Sequence, residues 1–219
     1  MKTGLTAALV VILFLGLSPF AEAQPELAAG AKIGANIGWF SGDGWDDLLE
    51  VTDGSSKSRG GITAAVLLEI GFSENFALQP ELGVTSRRGG ASIKFDPLGN
   101  PADGSITIKT TSIDISLLLK PRTAVGNGMI YALVGPHLFL LVGDSEVEWK
   151  VEGESGTDDF PRDNDFLFGV AVGAGYSHPV GPGSIVGDVV YTRAFNSVDD
   201  DADFFLNGIA IKVGYQFPF

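Results

Sequence analysis

The chain has 219 residues, of which 45% are hydrophobic and 30 are Gly, with a net charge of -13. That acidity excludes a nucleic-acid binder, which needs a cationic footprint, and zero Cys excludes a disulfide framework, a thiolate metal site and a lipidated N-terminal Cys. Phe at 15 against Met at 2 favours strands over helices, because aromatic side chains suit a pleated surface.

Met1-Lys-Thr precedes an apolar stretch from Leu5 to Leu17, then Ser18-Pro19-Phe20-Ala21-Glu22-Ala23-Gln24. A short basic start, an apolar core and an Ala-x-Ala site read as a secretory signal peptide over residues 1–23. The apolar run is shorter than the roughly 20 residues that a spanning helix needs. One exported domain, residues 24–219, is expected to follow.

Eight alternating runs then succeed one another. In the first, Ala31, Ile33, Ala35, Ile37 and Trp39 oppose Lys32, Gly34, Asn36 and Gly38. The second sets Ile62, Ala64, Val66, Leu68, Ile70 and Phe72 against Thr63, Ala65, Leu67, Glu69 and Gly71. In the third, Phe76, Leu78, Leu82 and Val84 oppose Ala77, Gln79, Glu81, Gly83 and Thr85. The fourth ends near Lys120 and sets Ile113, Ile115, Leu117 and Leu119 against Ser112, Asp114, Ser116 and Leu118. The fifth, Ile130 to Val142, is apolar on both faces, with Ala132, Val134, Leu138 and Leu140 placed outward and Tyr131, Gly135 and His137 inward. The sixth opposes Phe168, Val170, Val172 and Tyr176 to Gly169, Ala171, Gly173 and Gly175. In the seventh, Val189 and Tyr191 oppose Asp188 and Thr192. The eighth is Ile209 to Phe219, with Ile209, Ile211, Val213, Tyr215, Phe217 and Phe219 on one face. Period-two patterning over about ten residues, repeated at this density, is the signature of a membrane barrel.

The connections agree with that architecture. Phe40 to Gly61, Arg88 to Ser105 and Gly143 to Asp165 read as long polar loops, and Asn196 to Asp203 as a shorter acidic one. Short turns alternate with them at 73–75, 121–128 and 178–183. Long loops on one side and short turns on the other are expected of an all-β, eight-stranded antiparallel up-and-down transmembrane β-barrel with both termini periplasmic. A soluble barrel would point its apolar face inward and carry many charges outside. Here the opposite face is mainly Gly, Ala, Ser and Thr, which suits a narrow interior. Pro80 and Pro136 fall inside strands and cannot donate to the ladder, so a bulge or a missing bond is expected at each.

The last run, ending in Phe219, resembles the final strand of bacterial outer-membrane barrels, whose terminal aromatic residues serve as an insertion signal. Thr111-Ser-Ile-Asp-Ile-Ser-Leu-Leu-Leu-Lys120 and Tyr131-Ala-Leu-Val-Gly-Pro-His-Leu138 resemble the porin-like outer-membrane beta-barrel family that includes PorT proteins. Gly169-Val-Ala-Val-Gly-Ala-Gly-Tyr176 and Asp188-Val-Val-Tyr191 are similar to its sixth and seventh strands. The resemblance implies an eight-stranded barrel of the OmpA type, and a membrane-assembly signal in Tyr215, Phe217 and Phe219. The implied partners are outer-membrane lipid and the barrel-assembly machinery.

Eight strands leave an interior that side chains just fill. The inward-phased Lys32, Glu69, Glu81, Arg87, Asp114, Lys120, Asp188 and Lys212 carry both signs, and buried charges need partners. They form either a salt-bridged plug or the filter of a narrow channel. His137 and His178 have no Ser or acidic partner at a sequence spacing that signals a triad, and neither an enzyme nor a cofactor is expected. Most of the 27 acidic residues fall in the four loops. Asp199, Asp201 and Asp203 are a candidate contact for divalent cations, although Phe204 stands where a calcium loop has its turn Gly. Trp45 and Trp149 are placed to cap the rim or meet a partner. A structural or surface-interaction role leads, with a small-solute channel and secretion support as the alternatives.

Overall fold

The computed structural model describes residues 26–95, 102–151, 154–160, 162–198 and 203–219. The leader expected over 1–23 lies outside them. The described strands are β1 (Glu26–Ser41), β2 (Ser55–Ser73), β3 (Phe76–Phe95), β4 (Ala102–Val125), β5 (Gly128–Val151), β6 (Glu154–Phe160), β7 (Phe166–Val180), β8 (Gly183–Ala194) and β9 (Phe205–Pro218). One helix, α1 (Asp43–Val51), follows β1.

Every pairing is antiparallel; ring strands pair in chain order, with β7 following β5, and β9 returns to β1 with Ile33 opposite Val213 and Ile37 opposite Ile209. β4 also pairs with β5, so eight strands close a ring without an edge. The short β6 is the exception, since it pairs only with the far end of β5, Ser145–Val151. Below it, β7 takes the rest of β5, from Met129 to Leu140.

The outward face explains the medium around the ring. Ile33, Ile62, Val66, Leu82, Val84, Ile115, Leu117, Val134, Val172, Val189, Ile211 and Val213 are all exposed. Ile62 is 73% exposed and Ile33 67%, an expensive arrangement in water at about 25 cal/mol per Å² of apolar surface. Aromatic residues border this aliphatic band. Phe76, Tyr176, Tyr215, Phe217 and Phe219 lie near the turns, and Phe166, Phe168 and Phe195 near the loops. Trp39 stacks on Tyr191 at 6.1 Å in the second row. Two aromatic rows around an aliphatic belt are the interfacial girdles of a lipid-embedded barrel.

Both prolines interrupt the ladder without a bulge. Register holds from Leu67 opposite Glu81 to Ile70 opposite Leu78, skipping the pair at Pro80. It likewise holds from Ser116 opposite His137 to Leu119 opposite Val134, skipping the pair at Pro136. Beside that gap the chains come so close that a side chain on Gly135 would put a Cβ atom 2.0 Å from the Leu117 carbonyl oxygen.

The long loops are largely not loops. β3 and β4 continue as a paired ladder to Phe95 and Ala102, and β5 runs on to Val151 with β6 beside it. Backbone pairing is indifferent to side-chain polarity, so the ladder continues past the lipid boundary where the apolar outward face stops. There the side chains keep their in/out phase, but the apolar residues change to the inward face. Ile108, Phe139 and Leu141 point inward, whereas Lys109, Glu146 and Glu148 point out.

The first loop contains α1, which alternation could not reveal. Asp43 and Asp46 sit in its first turn, where the helix dipole favours negative charge. Trp45, Leu48 and Leu49 share one face at helical spacing. This face closes the loop-end mouth of the ring in an apolar cluster with Phe40, Ala91, Ile108, Phe139, Leu141, Leu167, Val198 and Leu206. Trp45 is 1% exposed; its ring lies 5.5 Å from Phe40 and 6.0 Å from Phe204. Gly42, at φ 121°, makes the turn into the helix that an L side chain would resist. Beyond the helix, the Lys94 amine donates to Asp53 at 2.8 Å and holds that exposed carboxyl below its usual range.

Candidate functional site: the charged lumen

Period-two geometry sends alternate side chains of all eight ring strands into the interior. Lys32 from β1, Glu69 from β2, Glu81 and Arg87 from β3, Asp114 and Lys120 from β4, Asp188 from β8 and Lys212 from β9 are all buried there. They form three connected groups at different depths.

The central group is built on Glu81. Its carboxylate accepts from Lys32 Nζ at 2.9 Å, Lys212 Nζ at 2.6 Å and Gln79 Nε2 at 2.6 Å. Lys32 also donates to Asp188, whose other oxygen accepts the Tyr131 hydroxyl. Five strands, β1, β3, β5, β8 and β9, are tied together in one layer.

On the turn side, Lys120 donates to Glu69 at 2.6 Å and to the Gln79 side-chain Oε1 at 2.9 Å. Its ammonium stands 3.9 Å from the centre of the Tyr131 ring, a cation–π contact. Arg122, which the sequence places in a turn, donates to Glu69 at 2.5 Å. The inward phase of Lys120 continues two residues further, and that was the available signal. Gln79 and Tyr131 share the inward phase and bridge charges that alternation alone does not connect.

On the loop side, Arg87 grips Asp114 with both nitrogens, at 3.1 and 2.7 Å. Thr85 and Ser112 donate to the same carboxylate at 2.6 and 2.7 Å. The guanidinium lies 4.9 Å from the Phe139 ring, where the charged layer meets the apolar cap. Ser116 and His137 Nδ1 are hydrogen-bonded at 2.7 Å, and His137 Nε2 is 3.9 Å from Asp114. Three residues used by hydrolases thus lie together. Their geometry is not that of a triad: Asp114 is committed to Arg87, and the His–Asp separation exceeds a hydrogen bond. The adjoining cavity measures about 40 Å3, room for water but not for an ester substrate.

A second cavity of about 400 Å3, lined by Glu69, Lys120, Arg122 and Gln216, opens at the turn end. The Glu81 layer lies between the two. His178 is exposed at the turn end, its ring 6.2 Å from that of Tyr176. Of the candidate cation contacts, Asp199 and Asp201 fall outside the described residues, and Asp203 is exposed. Among the described residues no group of three His, Asp or Glu side chains is placed to hold a metal ion. Trp149 lies on the extension and donates to Asp158 at 2.9 Å.

A closed ring with a lipid-compatible exterior and a charge-filled interior defines an integral membrane β-barrel. The family model described as the outer membrane protein beta-barrel domain matches residues 22–200, and the chain belongs to that family. Membership places it in the bacterial outer membrane. No curated protein matches. Among solved structures, Ail of Yersinia pestis is 16% identical, with 88% of this chain and 99% of that one covered at a TM-score of 0.39. Neisserial surface protein A is 12% identical, covering 88% and 97% at 0.42. OprG from Pseudomonas aeruginosa is 8% identical, covering 91% and 98% at 0.48.

Proposed function

We propose that the protein is a non-enzymatic, non-conducting outer-membrane barrel with a structural or surface-interaction role, exported by its leader and inserted with both termini periplasmic. The carrying observation is closure of the interior at two levels, by the apolar cap around Trp45 and by the salt-bridged layer around Glu81. Each obstructs ions for a different reason. The cap offers no polar partner to a hydrated ion, and the layer's charges are already neutralised by one another. What remains to meet other molecules is the strand extension and its acidic rim. In planar bilayers, the purified chain is expected to give no stable conductance above detergent controls. Discrete single-channel steps that shift in selectivity on Glu81→Gln would instead establish the narrow porin-like channel.

The aromatic series Tyr215, Phe217 and Phe219 projects outward at the turn end. We assign it as the signal read by the barrel-assembly machinery. Phe217→Ala with Phe219→Ala should reduce outer-membrane yield several-fold while leaving the melting point of the refolded barrel within about 3 °C, since exposed positions contribute little to stability. Equal yields would remove the assignment. The narrower likeness to PorT proteins, and secretion support with it, rests on the strand motifs alone. Crosslinking in cells tests it through capture of a secretion component.

A further inference from the structure

Above the aliphatic belt, the outer face of the β2–β5 extension carries a row of cations that the lumen does not use. Arg59 stands directly opposite Arg88, and Arg88 directly opposite Lys109. Like charges opposed across a ladder destabilise a sheet, so packing gives no reason for the row. Lys109 is occupied by Glu148 at 2.5 Å, and that hydrogen bond keeps the Glu148 carboxyl ionised and below its usual range. Neither arginine has a hydrogen bond or ion pair among the described residues, and both side chains are exposed. Together with Ser105, Thr107 and Lys150 they border an open groove of about 200 Å3, with Glu148 along one side.

The position of the row is as informative as its charge. From Phe76 in the turn-side girdle to Arg88 is about 40 Å of strand at the usual rise, or roughly 30 Å along the membrane normal at barrel tilt. The apolar band of such barrels is about 25 Å tall. Arg88 therefore stands just past the hydrocarbon, at headgroup depth. The chain as a whole is strongly acidic, yet here it presents cations and hydroxyl donors toward the lipid side.

We propose that Arg59, Arg88 and Lys150, with the hydroxyls of Ser105 and Thr107, bind the phosphate groups of a phosphorylated glycolipid of the outer leaflet. Guanidinium forks match phosphate oxygens in pairs, and the exposed belt beside Val84 receives the acyl chains. The inference rests on the orientation proposed above, with the strand extension on the outer side.

The test is native mass spectrometry of the full chain released from detergent micelles, probed with bis-phosphorylated lipid A, with dephosphorylated lipid A and with inorganic phosphate. The phosphorylated lipid is expected to be retained, and the dephosphorylated form to bind at least about tenfold more weakly. Arg59→Gln and Arg88→Gln should each weaken retention about fivefold, and both together roughly thirtyfold. Arg193→Gln, on an exposed cation of β8 away from the groove, should leave retention unchanged. Unaltered heat-dependent gel mobility certifies that each variant is folded. Equal retention of both lipids, or no loss in the double variant, would overturn the site. Inorganic phosphate bound as tightly as the lipid would assign it to a free anion and overturn the lipid. Micelles carry no orientation, so the facing is read separately. Asp159→Cys in this otherwise Cys-free chain should react with an impermeant maleimide on intact cells. Failure to label would overturn the outer-leaflet source while leaving the phosphate result standing.

Discussion

Glu81→Gln is expected to lower the unfolding free energy by about 3–5 kcal/mol, the cost of leaving a buried partner charge uncompensated. Two ammonium groups meet on this carboxylate, at 2.9 and 2.6 Å. Lys32 keeps Asp188, but Lys212 has no other carboxylate partner among the described residues. The orphaned Lys212 is therefore the source of most of the loss. A double variant that also carries Lys212→Met should recover most of it, since replacing a buried pair by apolar groups of similar volume is often neutral. Urea unfolding in micelles, followed by tryptophan fluorescence, gives both numbers and their coupling. A single-variant loss below about 1 kcal/mol would mean that water reaches the layer and that the plug is not closed.

Trp45→Ala should detach the apolar cap at the loop end. Removal of a buried aromatic of this size costs about 3–5 kcal/mol where the surroundings cannot collapse. Here the loss falls on α1, which Trp45, Leu48 and Leu49 attach to the cluster. It should appear as local opening: faster amide exchange across 43–51 and proteolytic cleavage in that segment, with the ring strands still protected. Conductance should remain absent, because the Glu81 layer lies beneath the cap and is untouched. Unchanged exchange in α1 would show that the strand-borne residues alone hold the cap. Stable conductance in this variant would show that the charged layer is not a barrier, which separates the two closures from each other.

Much of this architecture was legible from local pattern. Outward Ile33, Val84, Ile115 and Val213, against inward Lys32, Glu81, Asp114 and Lys212, follow from a two-residue repeat that leaves no freedom of face once register is set. The even count of strands, their order and the closure of β9 on β1 follow from the alternation of turn and loop lengths. The fifth run, apolar on both faces, was oriented correctly as well, with His137 inward and Leu140 outward.

Three things depended on the tertiary structure. The cap was invisible because Trp45 is in a helix outside the repeat, and its partners Phe139, Leu167 and Leu206 come from distant strands. The length of the strands was hidden because the apolar residues change face between Ile108 and Ile113. Inside is polar where lipid is outside and apolar where water is outside, so one fixed phase cannot follow a strand through the boundary. The pairing within the lumen was also undetermined. Inward phase named eight charges, but which of them met, and that Gln79, Tyr131 and Arg122 would join them, depends on stagger between strands far apart in the chain. By itself the sequence determined the ring, its faces and the medium around it, since those rest on each residue's nearest neighbours along a strand. Closure of the interior rests on contacts across it, and those exist only after the ring has shut.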